Sequence, residues 1–229
     1  MPTPARDRLV AAAFELFETQ GYDATTVDDI ATRAGTGRST FFRHFRGKED
    51  VVLPDHEALL GRLADRLAVA SPGSAGTALR EAAGIVLTHY LAEGETARAR
   101  YRLSSSVPAI RDRETASVQR YVRLFSQHIH GWLDQEPDGP LRAELVASSV
   151  VIAHNHVLRR WVRGETDDPR AELDDALTLA VRLLRDPAAP EQPTIVITGG
   201  AEDVDDVVRR VREALAPGKN HGRSGLGTA

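Results

Sequence analysis

The sequence predicts an all-α protein: a small N-terminal three-helix unit, then a larger helical bundle, then a short strand–helix extension at the C-terminal end. Three observations carry that reading. Apolar residues recur at three- and four-residue spacing through most of the 229 residues. Ala, Leu, Arg and Glu are abundant and aromatics make up only 5 %, a balance that favours helix over strand. Glycine- and proline-containing stretches fall between the periodic segments and punctuate them. These breaks divide the chain into residues 1–48, 49–186 and 187–229.

In the first unit, Val10, Ala13, Phe14 and Phe17 form the apolar stripe of a helix over 5–19, and Gly21 stands where a C-terminal glycine ends it. A second helix begins at Thr26, with Asp29 three residues on as a variant of the capping box. Its stripe is Val27, Ile30, Ala31 and Ala34. Gly35-Thr36-Gly37 is the turn, and a third helix runs over 38–45. Phe41 and Phe45 share its inner face, which turns Ser39, Arg43 and Arg46 to the opposite side. Two short helices joined by a glycine turn, with a basic outer face on the second, make a helix-turn-helix, the motif that lays its second helix in the DNA major groove.

The body reads as five or six more helices: 49–70, bent near Pro54, then 77–93, 96–106, 108–133, 141–163 and 170–185. SPGSAG at 71–76 and EPDGP at 136–140 are breaks. In the extension, DPAAPEQP is a proline-rich linker, TIVIT a β-prone run, and 201–216 an amphipathic helix; residues 217–229 are Gly-rich, basic and expected to lack fixed structure. TIVITGGAED looks like a strand–glycine–helix phosphate cradle. Glu202 and Asp203 would repel phosphate, so it is read as a satellite strand and helix.

Composition narrows the function. There is no cysteine, which excludes disulfides, thiolate metal sites and cysteine nucleophiles. No run of about 18 apolar residues exists to span a membrane, and MPTPARDR leads straight into a charged amphipathic segment, so a cytoplasmic protein without membrane partners is expected. The net charge is −4, yet from Arg33 to Lys48 there are basic residues and no carboxylate, and a local footprint is what DNA binding needs. His128 with His130, and His154 with His156, sit two apart; on a helix each pair points to opposite sides and cannot clamp one ion. No paired carboxylates or nucleophile–base set is evident. Neither catalytic activity, nor a metal, nor a cofactor is expected. Tyr90, Tyr101, Phe125, His128, Trp132, His154 and Trp161 are the candidates to line a ligand pocket in the body, with core packing as the competing role for each.

The stretch LVAAAFELFETQGYDATTVDDIATRAGTGRSTFFRHFRGKEDV, about a fifth of the chain, resembles the TetR/AcrR family of bacterial transcriptional regulators. The matching positions are Phe14, Phe17, Gly21, Thr25-Thr26-Val27, Ile30-Ala31, Ala34-Gly35, Thr40-Phe41, His44-Phe45 and Lys48. More loosely, residues 97–133 are similar to the subgroup whose body binds acyl-CoA-like ligands. The resemblance implies that Arg38, Ser39 and Arg43 reach base edges, with arginine suited to guanine O6 and N7. It implies that Thr26, Thr40, His44 and Lys48 hold phosphates. It also implies pairing through the last two body helices, for which Val150, Val157, Leu177 and Leu184 are plausible contacts, with the chain's own core as the equal alternative for each, and hence a palindromic operator. The expected partners are therefore double-stranded operator DNA, a second copy of the chain, and a small effector, either acyl-CoA-like or otherwise hydrophobic. Two positions depart from the family: Gly37 removes a capping side chain, and Phe42 replaces a tyrosine, leaving only an apolar contact. They give some support to a second reading, a small-molecule-binding or adaptor dimer with a vestigial DNA reader.

Overall fold

A computed structural model describes residues 3–136, 138–182 and 184; the expected strand and helix of the extension lie outside the described residues. Among the described residues there are ten α-helices, one short 3-10 turn and no strand. The first three helices, α1 (Ala5–Thr19), α2 (Val27–Arg33) and α3 (Arg38–His44), fall where the sequence places them. The reason is local chemistry. Gly21 and Gly35 take positive φ, +88° and +63°, at the two turns, where a side chain would be strained. Thr26 and Asp29 complete a reciprocal box. The Thr26 hydroxyl oxygen accepts from the Asp29 N–H at 3.1 Å, and the Asp29 carboxylate accepts from the Thr26 N–H at 2.9 Å. Hydrogen bonds from the Thr26 hydroxyl, and then from its backbone, hold the Asp29 carboxyl below the usual carboxylate range. Thr26→Ala is expected to lower stability by about 1 kcal/mol, read from the urea midpoint at unchanged slope.

The segment expected as one bent helix over 49–70 is instead two, α4 (Lys48–Val51) and α5 (His56–Ala68). Pro54 has no N–H to carry a helix through, and the Asp55 carboxylate accepts from the Ala58 N–H at 3.1 Å, starting a new helix rather than bending the old one. The body continues with α6 (Ala75–Glu93), α7 (Glu95–Ser106), α8 (Pro108–Trp132), α9 (Gly139–Val162) and α10 (Pro169–Arg182). Helix α9 packs against both α8 and α10, and α6 against α5. Gly139 opens α9 against the end of α8, where a Cβ would clash with the Leu133 carbonyl oxygen.

Two apolar cores result. The body core includes Leu63, Leu67, Leu79, Leu87, Ile129, Val146, Val150 and Leu177. The N-terminal core centres on Leu9, Ile30, Phe41 and Phe45, and takes in Val51 and Val52 from α4 and its C-cap, with Ile110 from α8. Ile110 therefore seats the body on the N-terminal unit. Asp50 pairs with Arg113 across the same seam.

Candidate functional site: a basic helix face and an internal cavity

The outer face of α3 is built as the spacing requires. Phe41 and Phe45 are buried, 5.5 Å apart between ring centroids, and hold the helix on α1 and α2. Ser39, Phe42, Arg43, His44 and Arg46 are exposed and Thr40 is half-buried. Gly37 caps α3 without a side-chain hydrogen bond.

The cations of this region differ in availability. Arg33 is paired with Glu15. Arg38 Nη1 lies 2.8 Å from both oxygens of Asp28, and its guanidinium stands 5.2 Å from the Phe42 ring. Lys48 points inward: Nζ donates to the Tyr22 carbonyl at 2.8 Å and the Thr25 carbonyl at 3.1 Å, and sits 4.2 Å from the Tyr22 ring. It staples the connector that presents Thr26. A phosphate would have to compete for Lys48 with these carbonyls, and for Arg38 with Asp28. Arg43 is exposed and has neither kind of tie among the described residues.

Inside the body lies a cavity of about 250 Å³. Tyr90, Tyr101, Phe125 and His154 line it together. His128, Trp132 and Trp161 are not among its lining residues. Trp132 sits about two turns beyond Phe125, packed against the body core, and the Trp161 ring is covered by the Arg98 guanidinium at 4.9 Å.

The cavity also holds residues that sequence reading did not single out: His56, Arg100, Ser104, Glu114, Tyr121 and Asn155. Tyr121 carried a signal, since it precedes Phe125 by four and so shares its face. Arg100 carried none. It is a 3 % exposed arginine on α7, with Nη1 2.6 Å and Nη2 3.0 Å from the Glu93 oxygens across the Gly94 bend. Its Nε donates to the Val52 carbonyl. Burial pushes the Glu93 carboxyl up, but the nearby His89 ring and the hydrogen bonds and charge of Arg100 outweigh it and hold the carboxyl at about 2. One side chain thus joins the cavity wall to the C-terminal end of α4. Burial, with the nearby Arg100 and Arg120 charges, pushes the His56 ring down to about 4, and burial alone does the same to His154. Both rings are neutral near pH 7.

The pairing residues come out differently from expectation. Val150, Val157 and Leu177 are buried within the single chain and cannot touch a partner. Helix α9 is apolar on two sides. Leu141, Leu145 and Ile152 lie within about 40° of one another on the side away from Val150 and Val157, and are 60 %, 51 % and 65 % exposed. Leu179 on α10 is 70 % exposed.

Known proteins share this architecture. Residues 9–53 match the family model of bacterial regulatory proteins, tetR family, and residues 74–189 match that of the MftR C-terminal domain. The HTH-type transcriptional regulator TcmR of Streptomyces glaucescens is 30 % identical over 200 residues, 81 % of this chain and 83 % of its own. A putative TetR-family regulator from Syntrophomonas wolfei superposes with a TM-score of 0.58 at 19 % identity, covering 79 % of this chain and 94 % of that one. FadR of Thermus thermophilus, solved with lauroyl-CoA, gives 0.51 at 24 % identity, over 82 % of this chain and all of that one. Likeness to solved structures at such identities speaks for the fold alone. The family models meet both the basic three-helix unit and the body that carries the cavity, and the TcmR relationship runs through both, so the chain belongs to the TetR family of helix-turn-helix transcriptional regulators.

Proposed function

We propose that the chain is a ligand-responsive repressor: a homodimer that holds a palindromic operator and releases it when a small hydrophobic molecule fills the body cavity. The observation that carries this is Arg100, which lines the cavity and donates to the Val52 carbonyl of the N-terminal core. A molecule that binds the cavity better in one conformation shifts the spacing of the two reading heads toward that conformation, by no more than its differential affinity. On the DNA side, Arg43 and Ser39 are assigned to base edges. Arg38 joins them once Asp28 releases it, and Phe42 supplies an apolar contact. Thr26, Thr40 and His44 are assigned to phosphates, and Lys48 sets the position of Thr26 while sharing in phosphate binding.

The decisive experiment is selection of genomic fragments by the purified protein, followed by salt titration on the selected operator. Arg43→Ala is expected to cost about 1–3 kcal/mol of operator affinity and to relax preference at one base pair. Arg38→Ala should cost less, because Arg38 must give up its pair with Asp28 before it reaches a base, which lowers its net contribution. If no fragment is enriched while a stable dimer persists, the adaptor reading replaces this one.

Pairing is assigned to the outer faces of α9 and α10, where Leu141, Leu145, Ile152 and Leu179 are exposed. Ile152→Asp with Leu145→Asp is expected to give a folded monomer by sedimentation, with operator affinity lost because one three-helix head binds weakly alone.

A further inference from the structure

Two polar atoms of the cavity have no hydrogen-bond partner among the described residues. His154 is 7 % exposed and lines the cavity from α9, and its Nε2 is buried without a hydrogen-bond partner. Its other nitrogen, Nδ1, lies 3.2 Å from the Asn155 side-chain oxygen. An amide oxygen only accepts, so Nδ1 carries the ring proton; a neutral imidazole has one N–H, and Nε2 is left as a bare acceptor. His56 Nε2, at the start of α5, is likewise buried without a partner. Its Nδ1 lies 3.0 Å from the Tyr121 hydroxyl. The Tyr121 hydroxyl can donate to Nδ1 or accept from it, so His56 Nε2 offers the complementary role, N–H donor or bare acceptor. The walls are otherwise mostly aliphatic and aromatic, including Ala83, Val86, Val150, Val151 and Leu158. Two buried ring nitrogens without partners weaken the unliganded fold, and a ligand of matching chemistry recovers that loss.

We infer that the effector is an uncharged, largely apolar compound bearing a phenolic or alcoholic hydroxyl that donates to His154 Nε2, with a second polar group that pairs with His56 Nε2. This narrows the effector-release reading and rests on it. An anionic group finds no uncommitted buried cation among the described residues. The buried Arg100 is already committed to Glu93 and to the Val52 carbonyl, the Glu114 carboxyl is part of the wall, and Arg159, which also lines the cavity, is exposed. The Arg111 Nε donates to the Ser104 carbonyl at 3.2 Å. A plain acyl chain with its thioester has no proton to give His154. A site built to hold a hydroxyl discriminates sharply against the same molecule with the hydroxyl proton masked, because its own acceptor then stays unpaired.

The test measures binding of 2-naphthol, 2-methoxynaphthalene and lauroyl-CoA to the full chain by calorimetry. 2-Naphthol is expected to bind at least about tenfold more tightly than its methyl ether. His154→Leu should bring the two within about twofold, while His154→Gln, whose amide oxygen still accepts, should keep the preference. Without any ligand, His154→Leu should raise Tm, since it removes an unsatisfied buried acceptor; a histidine kept only for packing would lower Tm on replacement. Equal binding of the two naphthalenes, no binding of either, binding of lauroyl-CoA alone, or a preference that survives His154→Leu each overturn the inference. If 2-naphthol binds with the expected preference but leaves operator affinity unchanged, the hydroxyl site stands and the effector-release reading fails.

Discussion

Arg100→Ala is expected to destabilise the protein by about 3–5 kcal/mol, because it leaves the Glu93 carboxylate half-buried beside a cavity without its counter-charge. The native pair is held by two hydrogen bonds, 2.6 Å and 3.0 Å, and Arg100 is 3 % exposed. The loss is mostly the cost of the orphaned charge rather than the net worth of the pair. Removing both charges with Arg100→Met and Glu93→Leu should therefore recover most of it. Urea unfolding of the single and double variants decides the matter. If the double variant stays as unstable as Arg100→Ala, the missing bond to the Val52 carbonyl is the larger contribution, and Arg100 acts chiefly as the tie between body and reader. The pH dependence has a definite sign. Glu93 titrates lower in the folded chain than the ordinary carboxylate value, so its stabilisation is full above about pH 4.5 and is lost as pH falls toward about 2. The Arg100→Ala chain should lose that part of the acid transition.

Phe41→Ala is the second large expectation, about 3–5 kcal/mol. Phe41 is fully buried, its ring centroid 5.5 Å from that of Phe45 and 5.4 Å from that of Phe42 in an edge-on arrangement. Helix α3 has only seven residues and no side-chain cap, so it cannot hold itself together. The Phe41 ring anchors it, and removing that ring should abolish specific DNA binding together with a lowered melting transition. The adjacent Phe42→Ala is the control. Phe42 is 47 % exposed, and its replacement should change stability by no more than about 0.5 kcal/mol while still weakening operator binding. Circular dichroism melts beside gel-shift titrations separate the two. Equal melting temperatures for Phe41→Ala and Phe42→Ala would remove Phe41 as the anchor.

The helices of the N-terminal unit were readable because their signals are local: Thr26 with Asp29 three residues on, Gly21 and Gly35 at the turns, Phe41 four before Phe45. Each acts within a turn or two of backbone, where one-dimensional spacing and three-dimensional neighbourhood coincide. Pro54 is ambiguous in the sequence. A proline suggests a bend or a break equally, and the choice fell to the Asp55 cap and to the packing of α4 with α8. The cavity was half readable. Tyr90, Tyr101, Phe125 and His154 are large or polar residues on apolar stripes. Tyr121 shares the Phe125 face of α8, but His56 and Arg100 converge on it from α5 and α7, and no spacing rule relates residues on different helices.

The sequence by itself determined the all-α class, the reading unit, and the division of α3 into a buried and a basic face, since helical periodicity is a property of the backbone. Tertiary structure alone decided three further points. It settled which apolar side of α9 is core: Val150 and Val157 lie in the body core, and this leaves Leu141, Leu145 and Ile152 outside. It turned Lys48 onto the Tyr22 and Thr25 carbonyls, which its ammonium group reaches only once α4 has folded back against the connector. It also buried Arg100 between Glu93 and the Val52 carbonyl. A charge leaves water only where several segments meet to satisfy it together, and that meeting is decided by packing rather than by periodicity.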